Sequence, residues 1–209
     1  MKKRHLLVLL LAAGLVPPLC HAAEKFAATA DPAEAAKDPD FALQGEYFGE
    51  TPDGKVGVQV IALGDGEFEA VLSKGGLPGE GWDGEKPRES ATAKRGEDGS
   101  IAFEKDELVG TLKDGAITVT SANDPGLRLV LDRVERESPT LGAAPPEGAV
   151  VLFDGTEETA AKHWQNPKLE NGLLTEGALS TEEFSDFVLH LEFRLPWMPK
   201  ARGQARGNS

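Results

Sequence analysis

His190, Glu192 and Arg194 stand at alternate positions of the run FVLHLEFRLPW, residues 187–197. Side chains of an extended chain alternate with a period of two, so these three share one side, with neighbours roughly 6.6–7 Å apart at the backbone. A base, an acid and a guanidinium in one row could be a solvated sheet surface or the floor of a binding cleft, and in a cleft they have the types for acid-base work. Glu192 is the candidate general base or metal ligand. Arg194, with its planar fork, would orient Glu192 or stabilise an oxyanion. His190 is a candidate second acid-base group. The plainer reading makes Glu192 a rim carboxylate paired with Arg194 or with a base across a strand, and His190 a packed or hydrogen-bonded strand residue.

These residues need a strand to present them. Phe187, Leu189, Leu191, Phe193, Leu195 and Trp197 fill the opposite side, and a face this uniform predicts a strand lying on a core, since apolar area gains roughly 25 cal/mol per Å² on leaving water. From Phe41 to about Glu137 the pattern is also strand after strand: FALQGEYFGE, KVGVQVIALG, GEFEAVLSKG, SIAFEK, LVGTLK, AITVTSA and LRLVLDRV. The separators include Asp53-Gly54, Asp65-Gly66, Asp83-Gly84, Asp98-Gly99 and Asp114-Gly115, pairs that supply the positive φ of tight hairpin turns. The sequence therefore predicts an all-β protein whose residues 41–137 form a small antiparallel domain, barrel or sandwich. The stretch GGLPGEGWDG, residues 75–84, lacks the Lys-Ser/Thr pair and the strand-to-helix context of a phosphate loop. It is expected to be a long turn plugged by Trp82, with stacking of the indole on a sugar ring as the functional alternative.

Residues 23–40 are Ala-rich and proline-punctuated and predict a flexible lead-in with a helical turn or two starting at Asp31 and Pro32. Residues 138–148, SPTLGAAPPEG, predict a linker. A second unit begins at AVVLFDGT, with about four strands, including short ones around KLENGLLT and GALST. His163, beside Trp164, carries only a structural reading. The basic segment Lys200 to Arg206 is expected to be a solvated loop, with Arg202 or Arg206 closing over a sugar as the functional alternative.

The first residues, MKKRHLLVLLLAAGLVPPLCHAAEKF, place three positive side chains before an apolar run and a small-residue exit, which predicts a signal peptide over residues 1–22 and a secreted or periplasmic mature protein. The run is too short to be a membrane span. Cys20 is the single cysteine, so a mature chain has neither disulfides nor thiolate chemistry. The formal charge is −13, and −16 without the three positive side chains of the leader, which argues against nucleic acid and anionic membrane as partners.

Residues 149–209, with VVLFDGT, a Trp-containing segment and then TEEFSDFVLHLEFRLPWMPKARGQARGNS, resemble the start of the 3-keto-disaccharide hydrolase (3-keto-glucoside lyase/hydratase) domain family. The β domain ahead of it is similar to one found there in secreted planctomycete proteins. The resemblance implies a concanavalin-like jelly-roll sandwich whose concave sheet is the cleft, here incomplete because family members continue past the Asn-Ser pair into another strand. It implies hydrolase or lyase chemistry on an oxidised disaccharide or glycoside: abstraction of the proton beside the ketone, elimination of the glycosidic oxygen, and hydration. It also implies that Asn208 and Ser209 line the cleft mouth.

That route needs one base rather than the paired carboxylates, about 5–5.5 Å apart, of a retaining glycosidase, and Glu192 is the sole acid on its side of the run. Two histidines after the leader and no cysteine exclude a compact zinc cluster, while a hard divalent cation on oxygen ligands stays open as cofactor, with Glu192 its first candidate. The alternative from another class is a noncatalytic carbohydrate-binding or adhesive β-sandwich. Low activity and poor solubility are expected of the 209-residue chain if the apolar side of residues 187–197 lacks a covering sheet.

Overall fold

The computed structural model describes residues 28–85 and 87–206. The expected signal peptide, Cys20, Asn208 and Ser209 lie outside the described residues. The protein is all-β, built on one large antiparallel sheet. Its strands are β1 (Gly45–Thr51), β2 (Gly54–Gly64), β3 (Glu67–Lys74), β4 (Glu89–Lys94), β5 (Ile101–Lys105), β6 (Leu108–Lys113), β7 (Ala116–Ser121) and β8 (Arg128–Val134). β1, β2, β3 and β4 pair in chain order, as do β5, β6, β7 and β8, and β8 returns to pair with β1 at Tyr47 opposite Arg133. The two edges, β4 and β5, meet through a single bridge between Arg95 and Ile101, which nearly closes the sheet into an up-and-down barrel.

The Asp-Gly pairs do what their chemistry allows. Asp65 and Gly66, with φ of 56° and 76°, turn β2 into β3, and Asp114 and Gly115, with φ of 50° and 81°, turn β6 into β7. Between β5 and β6 the same task falls to Asp106 at φ 52°, with no glycine beside it.

Alternation sends Tyr47, Val58, Val60, Ala62, Phe68, Ile101, Phe103, Leu112, Ile117 and Leu131 to the interior, where they form one buried cluster. Eight strands enclose a bore just wide enough for side chains to fill, and these ten fill it. Tyr47 is fully buried, and its hydroxyl donates to the Leu43 carbonyl at 2.9 Å; burial raises its pKa.

The 75–84 loop folds onto the outer wall. Gly57 and its cross-strand partner Ser73 point outward there, and a Cβ on Gly57 would come within 2.7 Å of Gly76 and 2.8 Å of Leu77. Leu77, fully buried, is the plug, whereas Trp82 is half-buried with the Arg88 guanidinium 4.7 Å from its ring centre. The expectation that Trp82 seals the loop is therefore corrected: the smaller side chain fits the space that a glycine leaves.

Of the expected flexible lead-in, the described residues 28–40 are packed. Asp31 caps α1 (Pro32–Ala35), Ala35 joins the barrel cluster, and Asp40 is buried at 2% exposure. Its carboxylate accepts from the Gly66 N–H at 2.8 Å and from Arg95 Nε at 3.0 Å, pinning the β2–β3 turn to the end of β4.

Residues 149–206 contain α2 (Glu157–His163) and two-residue ladders joining Trp164–Gln165 to Leu179–Ser180 and Leu169–Glu170 to Leu173–Leu174. The short strands expected around KLENGLLT and GALST are thus present, and EETAAKH is helical. The expected long strand is not: residues 187–196 belong to no ladder. Phe187, Leu189, Leu191, Phe193 and Leu195 are 58–75% exposed, so the apolar side of the run lies on no core among the described residues. An extended segment without a partner has no ladder bonds to hold it, and alternation sets which side chains share a face without supplying the second layer that buries it.

Candidate functional site

His190 Nε2 and Glu192 Oε1 are 3.1 Å apart, consistent with neighbours on the same side of an extended run. The same Glu192 oxygen accepts the Gly142 N–H at 2.5 Å, so the 138–148 linker reaches across to anchor the carboxylate. That backbone N–H first, and His190 second, hold the Glu192 carboxyl below the usual carboxylate range, because both favour the charged form. Glu192 Oε2 has no partner among the described residues. The pair is open to solvent, with 51% of the His190 side chain and 42% of the Glu192 side chain exposed.

Arg194, expected to orient Glu192, makes no hydrogen bond or ion pair with any described residue; the structure brings His190 and Glu192 together and leaves Arg194 apart. A carboxylate, an imidazole and one N–H can orient a proton-transfer group. They do not amount to an oxygen cage for a cation, and among the described residues no three His, Cys, Asp or Glu side chains gather to hold a metal ion.

Arg202 and Arg206 sit elsewhere, against the barrel. Arg202 Nη2 donates to the Leu63 carbonyl at 2.7 Å, and Arg206 Nη2 to the Ala62 carbonyl at 3.0 Å and to Gln44 Oε1 at 3.3 Å. Burial, and then the charge of Arg202, push the Arg206 pKa below its usual value. Arg206 also edges a shallow depression of about 310 Å³ on the outer wall of β1 and β2, lined by Gln44, Glu46, Gln59 and Ile61. Its polar groups are largely engaged with one another: Glu46 takes Arg136 in a two-toothed pair at 2.6 and 2.7 Å and Gln59 Nε2 at 3.1 Å.

The remaining motifs resolve into packing. In LFDGT, Asp154 Oδ1 accepts from the Thr156 N–H and hydroxyl and from the Thr159 hydroxyl, and Thr156 caps α2. The acids Glu157 and Glu158 in the first turn and Lys162 and His163 in the last suit the helix dipole, a signal of a helix that was not drawn from the sequence. His163 is buried with Nδ1 unpartnered among the described residues, and Trp164 Nε1 donates to the Leu152 carbonyl. Trp197 was also missed as a separate feature, because it ends the apolar row and reads as its last member.

Among the described residues no helix is long and apolar enough to cross a membrane. No protein-family model, no curated protein and no solved structure matches the chain.

Proposed function

We propose that the chain belongs to an exported protein of the 3-keto-disaccharide hydrolase type, which cleaves glycosides already oxidised at carbon 3. The observation that carries this reading is the His190–Glu192 pair, 3.1 Å apart and tied down by the Gly142 N–H. A ketone at carbon 3 acidifies the hydrogen on carbon 2. The base takes that proton and the electron pair moves into an enolate on the ketone oxygen; the enolate then collapses to the ketone as the double bond between carbons 1 and 2 forms and the bond from carbon 1 to the glycosidic oxygen breaks. The leaving alkoxide takes a proton, and water then adds across the double bond between carbons 1 and 2.

The Glu192 oxygen already accepts the Gly142 N–H and faces His190 Nε2, and the bonds that hold its carboxyl below the usual range make it a weaker base. The geometry therefore supports His190 as the base and Glu192 as the group that orients it and stabilises the imidazolium. This exchanges the roles that spacing suggests. Arg194 is left to meet the enolate oxygen.

The test is to incubate the exported protein with 3-keto-trehalose and with trehalose. Sugar release from the keto form alone is expected, and His190→Ala should lower kcat/KM by on the order of 10²–10⁴. Binding of both sugars with turnover of neither would overturn the reading in favour of a noncatalytic carbohydrate-binding protein.

A further inference from the structure

The segment that follows the 187–196 run turns back onto the barrel. Trp197, 9% exposed, joins the buried cluster of the barrel and packs edge-on against Phe41, with ring centres 5.1 Å apart. Its indole N–H donates to Asp38 Oδ2 at 3.1 Å, and its backbone exchanges hydrogen bonds with Thr29 at 2.7 and 3.1 Å. Pro199 and Ala201 are buried beyond it.

The next contacts are cationic. Lys200 Nζ lies 2.8 Å from Asp65 in the β2–β3 turn, and Arg202 and Arg206 donate to the carbonyls of Leu63 and Ala62 at the end of β2. Both guanidinium groups also donate to the Pro199 and Ala201 carbonyls, folding the segment into a compact hook. Ala62 and Leu63 offer these carbonyls where the β2–β3 register slips, between Ala62 and Gly64. A register slip leaves backbone groups outside the ladder, and a guanidinium supplies charged donors for them. The charges also match, since residues 41–137 hold eleven basic and twenty acidic side chains, net −9, whereas residues 197–206 hold three basic ones and no acid.

We propose that the barrel is a docking module, and that its ligand is this chain's own segment 197–206, recognised as a tryptophan plug followed by three cations. The bore is occupied by the side chains of the buried cluster, and the contacts of this segment fall on the end and the wall of the barrel. In this role the barrel fixes the second unit to the first. The proposal does not depend on the glycoside chemistry.

Hydrogen exchange of individual amides in the whole chain, read by NMR, tests it. Exchange of the Thr29 and Trp197 amides, which bond across the junction, reports undocking, and the Val60 and Leu131 amides report opening of the barrel. Protection at Trp197 is expected in the parent. Substituting Arg202→Ala and Arg206→Ala together should speed exchange at Trp197 about tenfold or more, with Val60 and Leu131 unchanged, because charge-assisted bonds are lost only at the junction. Lys200→Glu, at an exposed position, should act in the same direction without touching the β2 carbonyls. A Trp197 amide exchanging at the free-peptide rate in the parent overturns the proposal. So does a rise below about threefold in both variants, or a rise matched at Val60 and Leu131, since either shows that the cations do not govern a separate docking step.

Discussion

Asp154 shows how one carboxylate can organise a segment. Three donors converge on its Oδ1, and together they hold its carboxyl below the usual range, the Thr156 hydroxyl contributing most and the Thr159 hydroxyl next. A depressed native pKa means that the knot's contribution is complete above the unfolded value, about 3.9, and is lost as pH falls through the native value. In NMR titrations the Thr156 and Thr159 amide shifts should therefore move with a midpoint below the ordinary carboxylate pKa. Asp154→Ala should abolish that titration and loosen the first turn of α2. A midpoint at the ordinary value would mean that the hydroxyls do not favour the charged form. At this scale the sequence was legible where chemistry is local: the Asp-Gly turns and the helical turn that starts at Asp31 and Pro32. Its expectations for Arg194, Arg202 and Arg206 did not match the contacts that the fold gives them, because a guanidinium on a long stem takes whichever acceptors the fold brings near.

At the scale of elements, the seam between β4 and β5 is the weak join of the barrel. One bridge, Arg95 to Ile101, spans it, and the buried Asp40 braces it by binding both Arg95 and the Gly66 N–H. Arg95→Ala would leave a buried carboxylate one donor short and should lower stability by about 1–3 kcal/mol in urea unfolding. The loss should appear as faster exchange at Ile101 and Phe103 before other strands. An unchanged midpoint would place the closure elsewhere, in side-chain packing alone. The order of strands along the chain follows from hairpin turns, since an antiparallel neighbour reached by a two-residue turn needs no long-range information. The pairing of β8 with β1, and hence the barrel, needs the sheet's curvature, and no local signal carries that.

For the whole molecule, two opposite outcomes meet in one stretch of chain. Trp197 is buried at the end of the barrel, while Phe193 is 75% exposed and Val188 fully so. An apolar strip of this length in water favours association. Sedimentation velocity should therefore show concentration-dependent oligomers, which Leu191→Ser together with Phe193→Ser should reduce. A parent that stays monomeric over the same concentrations, and binds no hydrophobic dye, would show that this strip is covered in solution.

By itself, the sequence determined the all-β class, the Asp-Gly turns and the acidic charge. Each depends on residues a few positions apart and on alternation, which any extended chain obeys. The tertiary structure alone decided that the meander curls until its ends meet, that Leu77 rather than Trp82 seals the outer wall, and that the basic segment grips β2. Those outcomes depend on the space left by residues far away in sequence, and shape complementarity at that range is not encoded in any local pattern.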